Sequence, residues 1–166
     1  MSTDDIVDII DNAKEFETPE EDDVPSLDMV TEDAAALAFA DMHLGNLRFD
    51  HDVGAWFEWN GAYWKKDRTH LAFSWARKLA RRYAADLTGK QKLDTSKVRF
   101  AGAVETFAQR DQRLAVTQDM WDVDHYMLGT PGGTVDLRTG KLRPADPADM
   151  ITMVATVAPQ RMRTPA

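Results

Sequence analysis

The chain of 166 residues is long enough for one domain with a real hydrophobic core, since 43% of its residues are hydrophobic. It contains no cysteine, which excludes disulfide bonds and thiolate zinc sites and is consistent with a reducing compartment. No apolar run is long enough to span a membrane, and the acidic N-terminus is the opposite of a signal peptide, so we expect a cytoplasmic protein.

The net charge of −8 is distributed very unevenly along the chain. Residues 1–30 contain eleven Asp or Glu and one Lys, a net charge of −10, so the remaining residues carry +2. A segment this acidic cannot bury enough apolar surface to offset the conformational entropy that it would lose on ordering. The sequence therefore predicts a flexible acidic tail over 1–30. The alternative is a short amphipathic helix around residues 6–10 that binds a partner. The folded domain is expected over 31–158, and the start of a linker over 159–166.

The first predicted helix covers residues 34–43. Thr31 is a suitable N-cap, and the acids that follow it suit the positive end of the helix dipole. Leu37, Ala38 and Met42 are expected to point inward.

A short strand over 47–51 and a β-hairpin over 55–66 are predicted next. Asn60-Gly61 lies at the tip of the hairpin and is typical of a two-residue turn in which both residues take positive φ. Three tryptophans belong to this hairpin: Trp56, Trp59 and Trp64. They indicate either a platform on which nucleobases stack or packing in the core and across strands. Packing is favoured, because no array of basic residues is interleaved with them.

A long helix is predicted over 69–86. Its apolar residues recur at i+4 spacing and form a stripe that would face the core: Leu71, Trp75, Leu79 and Tyr83. The main basic cluster of the chain lies away from that stripe or immediately before the helix: Lys65, Lys66, Arg68, Arg77, Lys78 and Arg81. This cluster is either a phosphate-binding surface, aided by the N-terminal end of the helix, or an ordinary solvent-exposed face.

A polar loop is predicted over 87–95, and a further helix over 97–110 with Phe100, Val104 and Phe107 inward. Residues 119–124 are expected to form a turn or a short helix.

The stretch 126–144 predicts a second β-hairpin. Gly132-Gly133 is a turn signal, because glycine reaches positive φ without a steric penalty. Alternating residues follow on both sides of a tight Thr139-Gly140 turn. Beyond the hairpin we expect a short helical turn near 147–150 and a final strand over 151–157.

The chain offers no convincing set of catalytic residues. A phosphate loop needs Gly-x-x-x-x-Gly-Lys-Ser/Thr, and the Gly-Lys pairs at 89–90 and 140–141 lack the hydroxyl residue that would bind magnesium. Asp122 and Asp124 have the spacing with which polymerase-type primases hold two metal ions, but a role in a turn or cap is favoured. The Asp-His-Asp cluster at 50–52 is likewise interpreted as a solvated turn and not as a metal site.

Two runs of residues carry a resemblance to a known family. They are Gly-Thr-Pro-Gly-Gly-Thr-Val-Asp-Leu-Arg-Thr-Gly-Lys-Leu at 129–142 and Pro-Ala-Asp-Pro-Ala-Asp-Met-Ile-Thr at 144–152. The pattern resembles the poxvirus-type domain of phage and plasmid primases, which precedes a superfamily 3 helicase. The resemblance covers roughly residues 33–158, and Gly129 stands where the family is expected to have Asn.

The resemblance implies a DNA replication protein of a phage, prophage or plasmid. The domain would lie between a primase part and a hexameric helicase, through which the protein would form oligomers. ATP and magnesium would bind to that helicase, so no cofactor and no catalytic activity are expected in this chain.

We therefore expect an α+β domain with about three main helices, two β-hairpins and short extra strands. It would position DNA, bound weakly and without sequence preference, or the neighbouring primase and helicase domains. The alternative is an interaction or oligomerisation module of the replication complex that does not contact DNA.

Overall fold

The computed structural model describes residues 30–156, so the predicted tail (apart from residue 30) and linker lie outside the described residues. Within this range the chain is an α+β domain with four α-helices and two small sheets, which confirms the expected fold class. The helices are α1 (Glu32–His43), α2 (Leu71–Asp86), α3 (Gly89–Thr95) and α4 (Val98–Gln109). The strands are β1 (Leu47–Asp50), β2 (Ala55–Trp59), β3 (Trp64–Lys66), β4 (Ala115–Val116), β5 (Met127–Thr130), β6 (Gly133–Asp136) and β7 (Lys141–Arg143). Two 3-10 turns lie at Gln118–Met120 and Pro147–Asp149, close to the predicted short helical segments.

Helix α1 is capped as predicted but buries a different face. Thr31 Oγ1 accepts a hydrogen bond from the Ala34 amide at 3.1 Å. Leu37 and Met42 are 50% and 46% exposed, whereas Phe39 is fully buried, so the prediction that Leu37 and Met42 point inward is wrong. In a helix this rich in alanine the apolar stripe is poorly defined, and the larger Phe39 ring gains more from burial.

Helix α2 turns the predicted side toward the core, but it buries mainly small side chains. Its buried residues are Ala72, Ala76, Leu79, Ala80 and Ala84. Leu71, Trp75 and Tyr83 of the predicted stripe are only partly buried. Alanines at i+4 spacing leave room for the side chains of neighbouring elements, so α2 contributes little volume of its own to the core.

The connection from α2 to α4 is a helix and not the predicted polar loop. Helix α3 has no apolar periodicity, and only Thr95 at its end is buried. Helix α4 buries Phe100 and Val104 as predicted, but Phe107 is 47% exposed and Ala108 is buried instead. The prediction for Phe107 is wrong because Val104 and Ala108 lie on one i+4 ridge, and Phe107 lies beside that ridge.

The first sheet has the strand order β3-β2-β1-β4, in which β1 pairs with β2 antiparallel and with β4 parallel. Leu47 of β1 and Trp56 of β2 join the helix-side core, which includes Phe39 and Val104. The parallel return to β4 comes after α4, so the helices cover one face of this sheet. The predicted strand over 47–51 is confirmed as β1.

The hairpin β2–β3 is confirmed, but its turn is not the predicted two-residue type. The loop runs over 60–63, and Asn60 Oδ1 accepts hydrogen bonds from the amides of Ala62 and Tyr63, both at 3.0 Å. Only Gly61 has positive φ, at 93°. The Asn60 side chain takes over part of the turn's hydrogen bonding, so the loop is longer than an Asn-Gly turn requires.

The second sheet is antiparallel in the order β5-β6-β7 and contains the hairpin predicted over 126–144. The tight turn predicted at Thr139-Gly140 is instead a four-residue loop over 137–140, because β6 ends at Asp136, which pairs with Lys141. Gly140, at φ 68°, donates its N–H to Asp136 O at 2.7 Å. The strand predicted over 151–157 is wrong for the described residues, in which Val154 makes only one isolated bridge, to Gly129.

The second sheet is attached to the first through Trp121. The Trp121 ring lies 4.8 Å from that of Phe57 and 5.8 Å from that of Trp64, measured between centroids. Trp64 N also donates to Ile151 O at 2.8 Å, so β3 contacts the segment that follows the second sheet. The domain therefore has helices on one side of the first sheet and the second-sheet unit on the other.

Candidate nucleic-acid interface

The outer face of α2 carries Arg77, Lys78 and Arg81. All three side chains are exposed, because the buried alanines occupy the opposite side of the helix. None of the three forms an ion pair with another residue of the 30–156 range. This half of the predicted cluster therefore presents cationic groups to solvent.

Two of these arginines line a groove between α2 and α4. Arg77 and Arg81 face Lys97 across it, and the groove has a volume of 570 Å³. Its other lining residues are Phe73, Ala80, Thr95, Ser96, Val98 and Ala101. Lys97 was missed by the sequence interpretation, which treated it only as the start of a helix. Lys78 does not line the groove.

The other half of the predicted cluster lies elsewhere. Lys65, Lys66 and Arg68 line a separate cleft beside β3, which also contains the carboxylates of Glu58 and Asp67. The interpretation of all six basic residues as one surface is therefore not what the fold produces. They form two groups, and acidic residues line the cleft of the β3 group but not the groove that Arg77 and Arg81 of the α2 group face.

The N-terminal end of α2 is not free to attract an anion, contrary to expectation. Asp67 Oδ2 accepts the Leu71 amide, and Asp67 Oδ1 accepts the Thr69 amide, both at 2.7 Å. Hydrogen bonds from these amides and from the Thr69 hydroxyl lower the pKa of Asp67, although burial alone would raise it. The chain thus supplies its own anion at this helix end.

Lys65 and Lys66 also have a structural explanation. Strand β3 is at the edge of the first sheet, where charged side chains discourage pairing with a strand of another chain. Both lysines are exposed. Their presence on β3 is therefore weaker support for nucleic-acid binding than the arginines of α2.

Charge is concentrated in one part of the folded chain. Residues 65–99 contain eleven Lys or Arg and three Asp, a net charge of +8. Residues 31–64 and 100–166 together carry −6, since the chain beyond residue 30 has a net charge of +2. The basic segment comprises most of β3, all of α2 and α3, and the first residues of α4.

The tryptophans of the first hairpin serve packing. Trp56 and Trp64 are 5% and 1% exposed, and Trp59 lies 5.7 Å from Trp64 between ring centroids. Trp56 Nε1 donates to Glu105 Oε1 at 3.0 Å, and Trp64 Nε1 donates to Pro147 O at 2.9 Å. Burial raises the pKa of Glu105 against the effect of the Trp56 hydrogen bond. The packing interpretation is confirmed for Trp56 and Trp64.

Of the two carboxylates considered as metal ligands, Asp124 stabilises a local turn, whereas Asp122 joins its segment to residues 152–153, thirty residues later. Asp122 Oδ1 accepts the Thr152 amide at 2.8 Å, and Asp124 Oδ1 accepts the Tyr126 amide at 3.1 Å. In residues 30–156 no three His, Asp or Glu side chains are grouped closely enough to hold a metal ion. Asp50 is part of a turn but is fully buried, so the expectation of a solvated turn is wrong for that residue.

Sequence comparison decides the family. The model of the family described as D5 N terminal like matches residues 36–166. The chain belongs to the D5 N terminal like family. Comparison with curated proteins gives no match.

Membership places this D5 N terminal like domain among the N-terminal domains of D5-like primase-helicase proteins. The match begins within α1 and includes both sheets as well as the basic segment. The expected context of DNA replication is thereby confirmed at the level of the family. No helix in the 30–156 range is long and apolar enough to cross a membrane.

Proposed function

We propose that this domain is a non-catalytic module of a phage- or plasmid-type primase-helicase that binds DNA weakly and without sequence preference. The observation that carries the proposal is the net charge of +8 over residues 65–99, on a domain whose other residues beyond 30 carry −6. Clustered Lys and Arg bind the phosphate backbone of any sequence, with affinities of roughly 10⁻⁴–10⁻⁶ M at physiological salt.

In this function the domain holds DNA for the neighbouring primase and helicase domains of the same protein. ATP and magnesium would bind to the helicase domain, and oligomerisation would come from that domain too. The six residues first expected to contact DNA keep that role in two groups. Arg77, Lys78 and Arg81 form the stronger group, because no carboxylate lines the groove that Arg77 and Arg81 face.

The test is fluorescence anisotropy with labelled DNA at low and physiological salt. One variant changes Arg77, Lys78 and Arg81 to Glu, and a second changes Lys65, Lys66 and Arg68 to Glu. A control changes Arg110 and Lys141, which are exposed outside the basic segment, to Glu. We expect the first variant to abolish binding, the second to weaken it, and the control to change it little.

Absence of salt-dependent binding by the unaltered chain, even in dilute buffer, would overturn this proposal. The competing function, a protein-interaction module that packs against the helicase or another subunit, would then replace it.

A further inference from the structure

The groove between α2 and α4 combines cationic, hydroxyl and aromatic groups. Arg77, Arg81 and Lys97 supply the charge, Thr95 and Ser96 supply hydroxyls, and the partly buried Phe73 supplies a ring. We propose that this groove binds a single strand of DNA, with the cations on its phosphates and the Phe73 ring against a base. The inference rests on the proposed DNA binding and specifies the form of DNA that is bound.

The shape of the groove favours a single strand over a duplex. A duplex keeps its bases stacked inside and offers proteins only their edges in the grooves. A single strand exposes the faces of its bases, and aromatic side chains stack on those faces whatever the sequence. Phe73 lies in a concave groove of 570 Å³ beside the cations, so it is placed to meet a base and not a groove edge.

The cations in the groove are available to a phosphate. Arg77 and Arg81 are one helical turn apart, about 6 Å along the axis, and so face the groove together. Lys97 Nζ pairs with Asp94 at 2.6 Å, but both side chains are substantially exposed (55% and 39%). An exposed pair of this kind contributes little stability, so Lys97 exchanges Asp94 for a phosphate at small cost.

The cleft beside β3, lined by Lys65, Lys66 and Arg68, can be compared with the groove as a second possible site for a single strand. Its lining includes aromatic rings as well, but also Glu58 and Asp67, whose negative charges repel a phosphate backbone. No carboxylate lines the α2–α4 groove. The structure therefore assigns single-strand binding to the groove.

The experiment uses the full chain and labelled oligothymidylate, which forms no duplex, with a hairpin duplex of equal strand length. Phe73→Ala is expected to weaken binding of oligothymidylate by roughly tenfold and to leave duplex binding unchanged. Phe73→Leu keeps an apolar side chain of similar size and is the second variant, used in case Phe73→Ala affects folding. It too is expected to weaken binding of oligothymidylate and to leave duplex binding unchanged. Phe107→Ala removes a half-exposed ring of α4 that does not line the groove, and is the matched control.

Charge is tested in the same assay by salt titration. Lys97→Gln should reduce the slope of log affinity against log salt by about 0.7 for the single strand. Lys141→Gln, an exposed lysine of β7 outside the basic segment, should leave that slope unchanged. Equal binding of single strand and duplex, with no effect of either Phe73 variant, would overturn the groove proposal and leave DNA binding in place. Loss of all binding by the unaltered chain would overturn both.

Discussion

The buried carboxylate of Asp50 accepts a hydrogen bond from Trp121 Nε1 at 2.7 Å. Asp50 ends β1 of the first sheet, and Trp121 lies in the segment that leads to the second sheet. The other oxygen of Asp50 accepts the amides of Asp52 and Val53, each at 2.9 Å. Three N–H donors thus replace water around a carboxylate that is 0% exposed. Asp50 therefore fixes the position of Trp121, whose ring packs against Phe57 and Trp64 of the first sheet.

Asp50→Ala should destabilise the domain by about 3 kcal/mol or more, because it leaves three N–H donors without their acceptor. Asp50→Asn should destabilise the domain less than Asp50→Ala, because the carbonyl oxygen of Asn still accepts hydrogen bonds from the two backbone amides. The hydrogen bond from Trp121 Nε1 is lost in this variant, because the NH₂ group of Asn is a donor and not an acceptor. Urea denaturation followed by tryptophan fluorescence measures both. Asp86→Ala, an exposed acid at the end of α2, is the control. Equal stability of the Asp50→Ala and Asp86→Ala variants would contradict this assignment.

Gly129→Ala should destabilise the second sheet by roughly 1–3 kcal/mol through overpacking. A Cβ atom at this position would lie 2.9 Å from Met153 O and 3.2 Å from Ile151 Cγ2. Gly132→Ala is the matched control, because its nearest atom would be Thr130 Oγ1 at 3.9 Å and its φ is not positive. Thermal melts of the two variants should differ clearly. A Gly129→Ala protein as stable as Gly132→Ala would mean that residues 151–153 do not approach Gly129 so closely.

His43 should make the domain less stable in mild acid. Its ring stacks on Trp75 at 4.4 Å and lies 4.6 Å from Phe39 between centroids. Burial lowers the pKa of His43, helped by the charge of Arg82 and opposed by the hydrogen bond to Asn46. The unfolded chain therefore binds this proton more readily, and stability falls as pH decreases through about 6.5 toward the lower folded pKa.

The pH effect is measured by urea midpoints on both sides of about pH 6.5. His43→Phe retains a ring for Trp75 but does not titrate, so its midpoint should depend less on pH than that of the unaltered chain. His125→Gln changes an exposed histidine and should keep the original dependence. If the His43→Phe and His125→Gln proteins show the same pH dependence, another group is responsible.

The acidic segment 1–30 should compete with DNA for the basic segment of the domain. Val30 and Arg99 line one cleft, and Thr95 lines both that cleft and the α2–α4 groove, so the segment is attached close to the groove. Neutralising its densest acids should strengthen DNA binding about tenfold at low salt, an electrostatic effect that salt screens. The substitutions are Glu17→Gln, Glu20→Gln, Glu21→Gln, Asp22→Asn and Asp23→Asn.

Fluorescence anisotropy over a range of salt concentrations measures this competition. Neutralising Asp33 and Asp119, exposed acids of the folded part, is the control and should have a smaller effect. An unchanged affinity after neutralisation of the five tail acids would show that the acidic segment does not reach the basic segment.

The sequence by itself determined the elements whose signals are local. The Thr31 cap, the turn at Gly140 and the i+4 repeat of α2 each depend on residues within one turn of chain, and the structure contains all three. The family, too, was identifiable from short runs of residues in the second half of the chain, and the match over 36–166 agrees with it at the level of the D5-like domain. Local backbone chemistry decides such features before distant contacts form.

Tertiary structure decided which side chains meet. Phe39 instead of Leu37 entered the core because an alanine-rich helix has two nearly equivalent faces until its neighbours are in place. Lys97 faces Arg77 only because α3 returns the chain so that α4 packs beside α2. Asp50 is buried because Trp121, 71 residues later, covers it. Contacts across such separations depend on how whole elements pack, and no residue pattern within a single element records that packing.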